Sequence, residues 1–249
     1  MRNIKALFYL YQIYKYLVFY PLLVFSTISM GIMASLFAIL VSARVGTVFG
    51  VIWSRFNSLV TPMFVKVIGK DKIEKKQSYV IVANHQSQYD IFVIYGWLPI
   101  DFRWVMKIQL RQVPFLGYAC YKLGHVYIDR SNPEAAIRSI NAAKDRIKNG
   151  TSIMFFPEGH RSEDGKLIEF KKGAFAFALD IGLPILPITI TGTREVLPSN
   201  STDLFPGRAA MIIHDPIDTA GYSVNNMQEL MDRAKASIQK GLDDYYRTG

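Results

Sequence analysis

Hydrophobic and polar positions divide the chain into two regimes. Leu17–Val41 carries no charged residue over 25 positions. As a helix it would span about 37 Å, against a bilayer hydrocarbon core of about 30 Å. A second, amphipathic helix is expected over Val45–Val67, the pair dipping into one leaflet and returning. A charged connector, Gly69–Ser78, then contains Lys70, Asp71, Lys72, Glu74, Lys75 and Lys76. Beyond it, short apolar runs alternate with helical patterns. Strands are expected over Tyr79–Ala83, Phe102–Met106, His125–Ile128, Thr151–Phe156, Ile185–Thr191 and Ala209–His214. Helices are expected from Asp90 through the apolar run Ile91–Leu98, and over Pro114–Leu123, Pro133–Lys148, Gly173–Ile181 and Val224–Tyr246. The last of these places Met227, Leu230, Met231, Ala234 and Ile238 on one face. Such alternation predicts an α/β fold, a mostly parallel sheet flanked by helices, with an N-terminal apolar helical membrane anchor. The anchor is assigned to residues 1–69 and the α/β domain to residues 70–249.

Composition sharpens this picture. Hydrophobic residues make up 50% of the 249 positions, and the net charge is +9. Residues 1–70 contain no Asp or Glu and carry seven Lys and Arg, which leaves +2 for the other 179. A basic segment that is also strongly apolar points to an anionic lipid surface, and no nucleic-acid-binding motif is present. Five tyrosines (Tyr9, Tyr11, Tyr14, Tyr16 and Tyr20) and Phe19 suit a membrane–water interface. The apolar run is too long for a signal-peptide core of about 7–15 residues. Positive charge on both flanks, Arg2 and Lys5 before and Arg44 and Arg55 after, chooses no orientation. Ser26, Thr27, Ser29 and Ser35, with Pro21 and Gly31, are expected to let the run bend. The single cysteine, Cys120, excludes an intrachain disulfide, and four scattered histidines suggest no zinc site.

Candidate chemistry gathers where the first strand ends. Asn84, His85, Gln86, Ser87 and Gln88 follow Ala83 abruptly, and Asp90 begins the helix. A helix start can bring Asp90 back within hydrogen-bond range of His85. One imidazole nitrogen then donates to the carboxylate and the other is free as a base. Spacing alone leaves a second reading open, in which Asp90 caps a helix and His85 is a turn residue. A further apolar run ending in a polar turn, Ile153–Ser162, carries Glu158, Gly159, His160 and Arg161.

Together these stretches resemble the lysophosphatidic acid acyltransferase family, part of the glycerolipid acyltransferases. Its hallmarks are an Asn-His-x4-Asp block, here Asn84 to Asp90, and a Phe-Pro-Glu-Gly-Thr-Arg-Ser block, here Phe156 to Ser162 with His160 replacing the Thr. Gly124–Arg130 looks like its Gly-x-x-x-Ile-Asp-Arg block, and Leu183–Ile188 like its Pro-rich fourth block. The resemblance covers roughly Ser78 to Gly192. It implies that His85 takes a proton from a lysophospholipid hydroxyl while Asp90 orients it. Arg130 and Arg161 are the candidates for a phosphate, with Lys107 a weaker one. Glu158 is expected either to accept a hydrogen bond from a glycerol hydroxyl or to pair with an arginine and hold the turn. Gly159 is expected to let the backbone approach substrate or to offer amide donors to an oxyanion. No nucleophile-elbow Ser or Cys is present, so direct attack on a thioester is expected.

The implied reaction moves a fatty acyl group to 1-acylglycerol-3-phosphate and yields phosphatidic acid. It uses no cofactor beyond an acyl-CoA or acyl-carrier-protein co-substrate. The alternatives are another lysophospholipid acceptor and a non-catalytic membrane lipid-binding protein; a metal-dependent hydrolase lacks ligand spacing. The expected partners are membrane lipid and the thioester donor. The catalytic domain is expected on the cytoplasmic face of a membrane, and oligomeric state is not readable.

Overall fold

The computed structural model of the chain describes residues 5–248, so Arg2 lies outside them. Two helices, α1 (Lys5–Tyr14) and α2 (Tyr20–Leu40), run on through one π turn at Lys15–Phe19. Leu7–Leu40 is long and apolar enough to cross a membrane by length and composition. Only 22% of its most apolar window is buried, unlike the core helix of a domain. At Ser42, whose hydroxyl accepts from the Val45 amide at 3.2 Å, the chain turns back into α3 (Ala43–Val60). The two helices approach closely. A Cβ at Gly46 would lie 2.7 Å from the Ala34 carbonyl oxygen. Ser26 and Thr27, expected to loosen the run, instead cross-link it: the Asn57 amide donates to Ser26 at 3.1 Å and the Trp53 indole to Thr27 at 3.0 Å.

The amphipathic helix expected to reach Val67 stops at Val60, because Pro62 has no amide to continue it. Met63–Ile68 is instead a strand, β1, paired in parallel with the last strand along the chain, Gly207–Ile213. Six residues assigned to the anchor therefore belong to the sheet. The tyrosine belt also divides. Tyr11 and Tyr14 donate to the Thr61 and Val60 carbonyls at 2.7 Å, while Tyr9 and Tyr16 stay exposed.

The remaining elements are β2 (Val80–Ala83), α4 (Tyr89–Trp97), β3 (Asp101–Lys107), α5 (Leu116–Lys122), β4 (Val126–Ile128), α6 (Pro133–Asn141), β5 (Thr151–Phe155), α7 (Gly173–Ile181), β6 (Ile185–Thr191), α8 (Thr193–Val196), β7 (Gly207–Ile213) and α9 (Met227–Thr248). The expected helix over Pro133–Lys148 breaks at Asn141, and a 3₁₀ turn at Lys144–Arg146 follows. The sheet order is β1-β7-β6-β2-β5-β3-β4. Strands β6, β2, β5, β3 and β4 are parallel, and β7 with β1 runs the other way.

β2 lies inside the sheet, and all four of its residues are buried. That explains why its sequence is continuously apolar rather than alternating. Tyr79, Ile81 and Ala83 point into the core layer shared with α4, and Val80 and Val82 into the layer shared with α7 and α9. The helical hairpin packs on the α4 side. The carboxyl ends of β2 and β5 therefore open at the same sheet edge, where such folds seat ligands.

Candidate active site

The turn after β2 is built around one carboxylate. Asp90, in the first turn of α4, is fully buried, and its Oδ2 accepts from the Gln86 amide at 2.7 Å and the Ser87 amide at 2.9 Å. The same oxygen lies 2.8 Å from His85 Nδ1. The hydroxyl of Thr193, at the start of α8, donates to Oδ1. These donors, gathered at a helix start, compensate the charge of the buried carboxylate and hold it in place. Asp90 thus closes the turn ahead of α4 and holds the imidazole; it does not cap the helix, whose first amide, that of Tyr89, donates to the Ser87 hydroxyl at 3.1 Å. With Nδ1–H directed at Asp90, Nε2 of His85 carries the lone pair. The His85 side chain is 16% exposed, enough for a substrate hydroxyl to reach it.

Other groups fix the ring and its backbone. Phe156 stacks on the imidazole at 3.9 Å between centroids, and Trp104 stacks behind Phe156 at 5.8 Å. The His85 amide donates to Glu158 Oε1 at 2.7 Å, and the Ser162 amide donates to the His85 carbonyl at 2.7 Å. Asn84 ties the end of β2 to β6 through paired bonds with Ile190 at 2.8 and 2.9 Å.

Glu158 does not face an open hydroxyl site. It is buried, and its second oxygen accepts from the Ile168 amide at 3.0 Å. Of its two expected roles the structure has the turn-holding one, with two amides in place of an arginine. Burial pushes its carboxyl up to about 7, against the lowering effect of those two amides. Gly159 adopts a left-handed φ of +80°, and a Cβ there would meet the Lys171 side chain at 2.8 Å. Its amide donates to the Phe156 carbonyl at 3.0 Å, so it closes the turn rather than serving as a free oxyanion donor.

Cations lie around this turn and along the sheet edge beside it. Arg130 donates to the Gly159 carbonyl, and Lys171 lies over Gly159. Arg161 adjoins Ser162, and among the described residues no hydrogen bond or ion pair occupies its guanidinium. Lys107 is exposed at the carboxyl end of β3, in register with Ile128. β5 separates β3 from β2, so Lys107 stands about 10 Å along the edge from the His85 strand. His160 is exposed. Thr193 carried no signal in the sequence, and Phe156 stood out only as the first residue of a motif block, not as a partner of the His85 ring. Thr193 lies 103 residues from Asp90, and Phe156 reads as the end of an apolar run. Among the described residues no three His, Cys, Asp or Glu side chains cluster as metal ligands.

Residues 64–191 match the family model described as Acyltransferase. The 1-acyl-sn-glycerol-3-phosphate acyltransferase of Chlamydomonas reinhardtii is 32% identical over 72% of this chain and 53% of its own length. The protein of that name from Cocos nucifera is 31% identical over 80% of this chain and 68% of its own. The chain spans about half the length of the Chlamydomonas relative. The crystal structure of the 1-acyl-sn-glycerophosphate (LPA) acyltransferase PlsC from Thermotoga maritima superposes with a TM-score of 0.80. It is 27% identical and covers 99% of this chain and 98% of that one.

Proposed function

The chain belongs to the acyltransferase family, and we propose on that premise that it moves a fatty acyl group from a thioester to the free hydroxyl of 1-acylglycerol-3-phosphate. The product is phosphatidic acid. The observation that carries this reading is the 2.8 Å contact of His85 Nδ1 with buried Asp90. Nε2 of His85 takes the hydroxyl proton as the oxygen attacks the thioester carbonyl. Asp90 stabilises the imidazolium. The tetrahedral intermediate collapses by breaking the carbon–sulfur bond, and the departing thiolate takes the proton from His85. The groups proposed to hold the phosphate are Arg161, whose fork has no partner among the described residues, with Arg130 and Lys171 at the neighbouring Gly159 and Lys107 farther along the sheet edge. No cofactor is required; the acyl group arrives on coenzyme A or on acyl carrier protein as co-substrate.

The relatives whose names specify 1-acyl-sn-glycerol-3-phosphate support this acceptor. His160 favours one second reading. An exposed imidazole beside Arg161 alters the surface that meets the head group, which suits a different lysophospholipid. Competition among lysophospholipids for labelled acyl groups decides between the two. Preference for the phosphate monoester carries the first reading, and preference for a substituted head group carries the second. The reading also places the apolar hairpin in a membrane, with the α/β unit on its cytoplasmic face.

A further inference from the structure

Residues 107–115, between β3 and α5, are exposed without interruption, yet they include Ile108, Leu110, Val113 and Phe115. α5 adds Tyr118 and Tyr121, each more than half exposed. A surface that only meets water rarely gathers so many large apolar groups in one place. The charge pattern is equally one-sided. Residues 102–128 contain no Asp or Glu, while Lys107, Arg111 and Lys122 lie in or beside the patch. The Arg111 guanidinium sits 5.1 Å from the centre of the Tyr121 ring, and the Lys122 ammonium 5.3 Å from that of Tyr118. Aromatic rings paired with cations, with no acid among them, fit the headgroup level of an anionic bilayer.

The patch is continuous with the hairpin. A Cβ on Gly31 would touch the Phe115 carbonyl oxygen at 3.3 Å. Ala34 of α2 packs with Ala119 of α5 and with Leu123 just after it, and the nearby α2 residues Ile32 and Leu36 are exposed. The patch is also tied to the candidate active site. It begins at Lys107, on the strand whose Trp104 backs the Phe156–His85 stack, and the Tyr127 hydroxyl donates to the Gly117 carbonyl at 2.8 Å.

We propose that Ile108–Tyr121 is a second lipid-contacting surface, which seats the catalytic edge of the sheet on an anionic bilayer beside the hairpin. The proposal rests on the reading of this chain as a membrane-associated acyltransferase and deepens it. Lipid contact would then be made at the sheet edge that carries His85, and not by the hairpin alone.

The test uses the full chain with Cys120→Ala and one introduced cysteine, at Leu110 or at Tyr118, each carrying an environment-sensitive fluorophore. Vesicles contain phosphatidylglycerol and phosphatidylcholine, with spin-labelled lipids as quenchers. A third label at Val224, on the α9 side of the sheet, is the control. The expected result is a blue shift and lipid-dependent quenching at positions 110 and 118, none at 224, and a smaller shift when Arg111→Glu and Lys122→Glu are added. Two labelling sites keep the test valid if one variant fails to fold. Unquenched labels at both sites on vesicle-bound protein overturn the proposal. A shift that appears only when acyl carrier protein is added also overturns it, assigning the patch to a protein partner. Acyl transfer by the same samples in detergent separates the two readings. Active but unquenched protein removes the patch alone, whereas inactive but quenched protein removes the proposed reaction alone.

Discussion

The hydroxyl of Thr193 donates to the Asp90 oxygen that does not face His85. Thr193→Val keeps the volume and removes that donor, leaving a buried carboxylate oxygen unpartnered. Stability should fall by about 1–3 kcal/mol in urea titrations. The rate constant kcat should fall while KM holds, since no substrate contact is lost; an unchanged kcat would show that Asp90 needs no second support. Glu158 makes a prediction of opposite sign to that of an ordinary carboxylate. Its folded value of about 7 lies above its ordinary 4.5, so the folded state holds the proton more tightly. Stability from this group is therefore lost as pH rises from about 4.5 to about 7. Glu158→Gln should flatten that part of the pH–stability curve, measured by urea midpoints between about pH 5 and about pH 8. At this scale the sequence was readable where spacing is local. His85 and Asp90 are five residues apart and meet across one helix turn. Thr193 was hidden because a four-residue helix has no periodicity to detect, and only the β2–β6 pairing brings it beside Asp90.

Elements were legible to the degree that one physical signal dominated them. Gly173–Ile181 and Ile185–Thr191 have the bounds their patterns predict, because each is an apolar run closed by a glycine, Gly182 after the helix and Gly192 after the strand. β1 was not legible. Phe64 and Ile68 are exposed on an edge strand, so only Lys66 marks the outer face of Met63–Ile68 and the run extends a helical pattern falsely. Its pairing with β7, more than a hundred residues away, decides its state. The hairpin seam carries its own prediction. Gly46→Ala would force a methyl against the Ala34 carbonyl and Leu123, each 2.7 Å from its position. Overpacking of this kind costs about 1–3 kcal/mol. Thermal unfolding in detergent should show the loss, and an unchanged transition would mean that α2 and α3 separate freely.

For the molecule as a whole, the membrane seat proposed for the hairpin predicts which side of the bilayer each end of the chain occupies. α3 returns the chain to the end of the long helix where Tyr11 and Tyr14 meet Val60 and Thr61. Tags at the two termini should therefore be digested together from one side of sealed vesicles. Protection of one tag only would require the long helix to cross alone. The central claim is the proposal that, at the sheet edge taken to face lipid, a histidine oriented by a buried carboxylate acts as the base. The measurement that tests it most directly is transfer of labelled acyl groups from acyl-coenzyme A and acyl carrier protein to 1-acylglycerol-3-phosphate, with wild type beside folded His85→Ala. Transfer by the wild type, reduced about 100- to 10,000-fold in the variant, is the predicted result. Equal transfer by both proteins would contradict it and remove His85 from the chemistry.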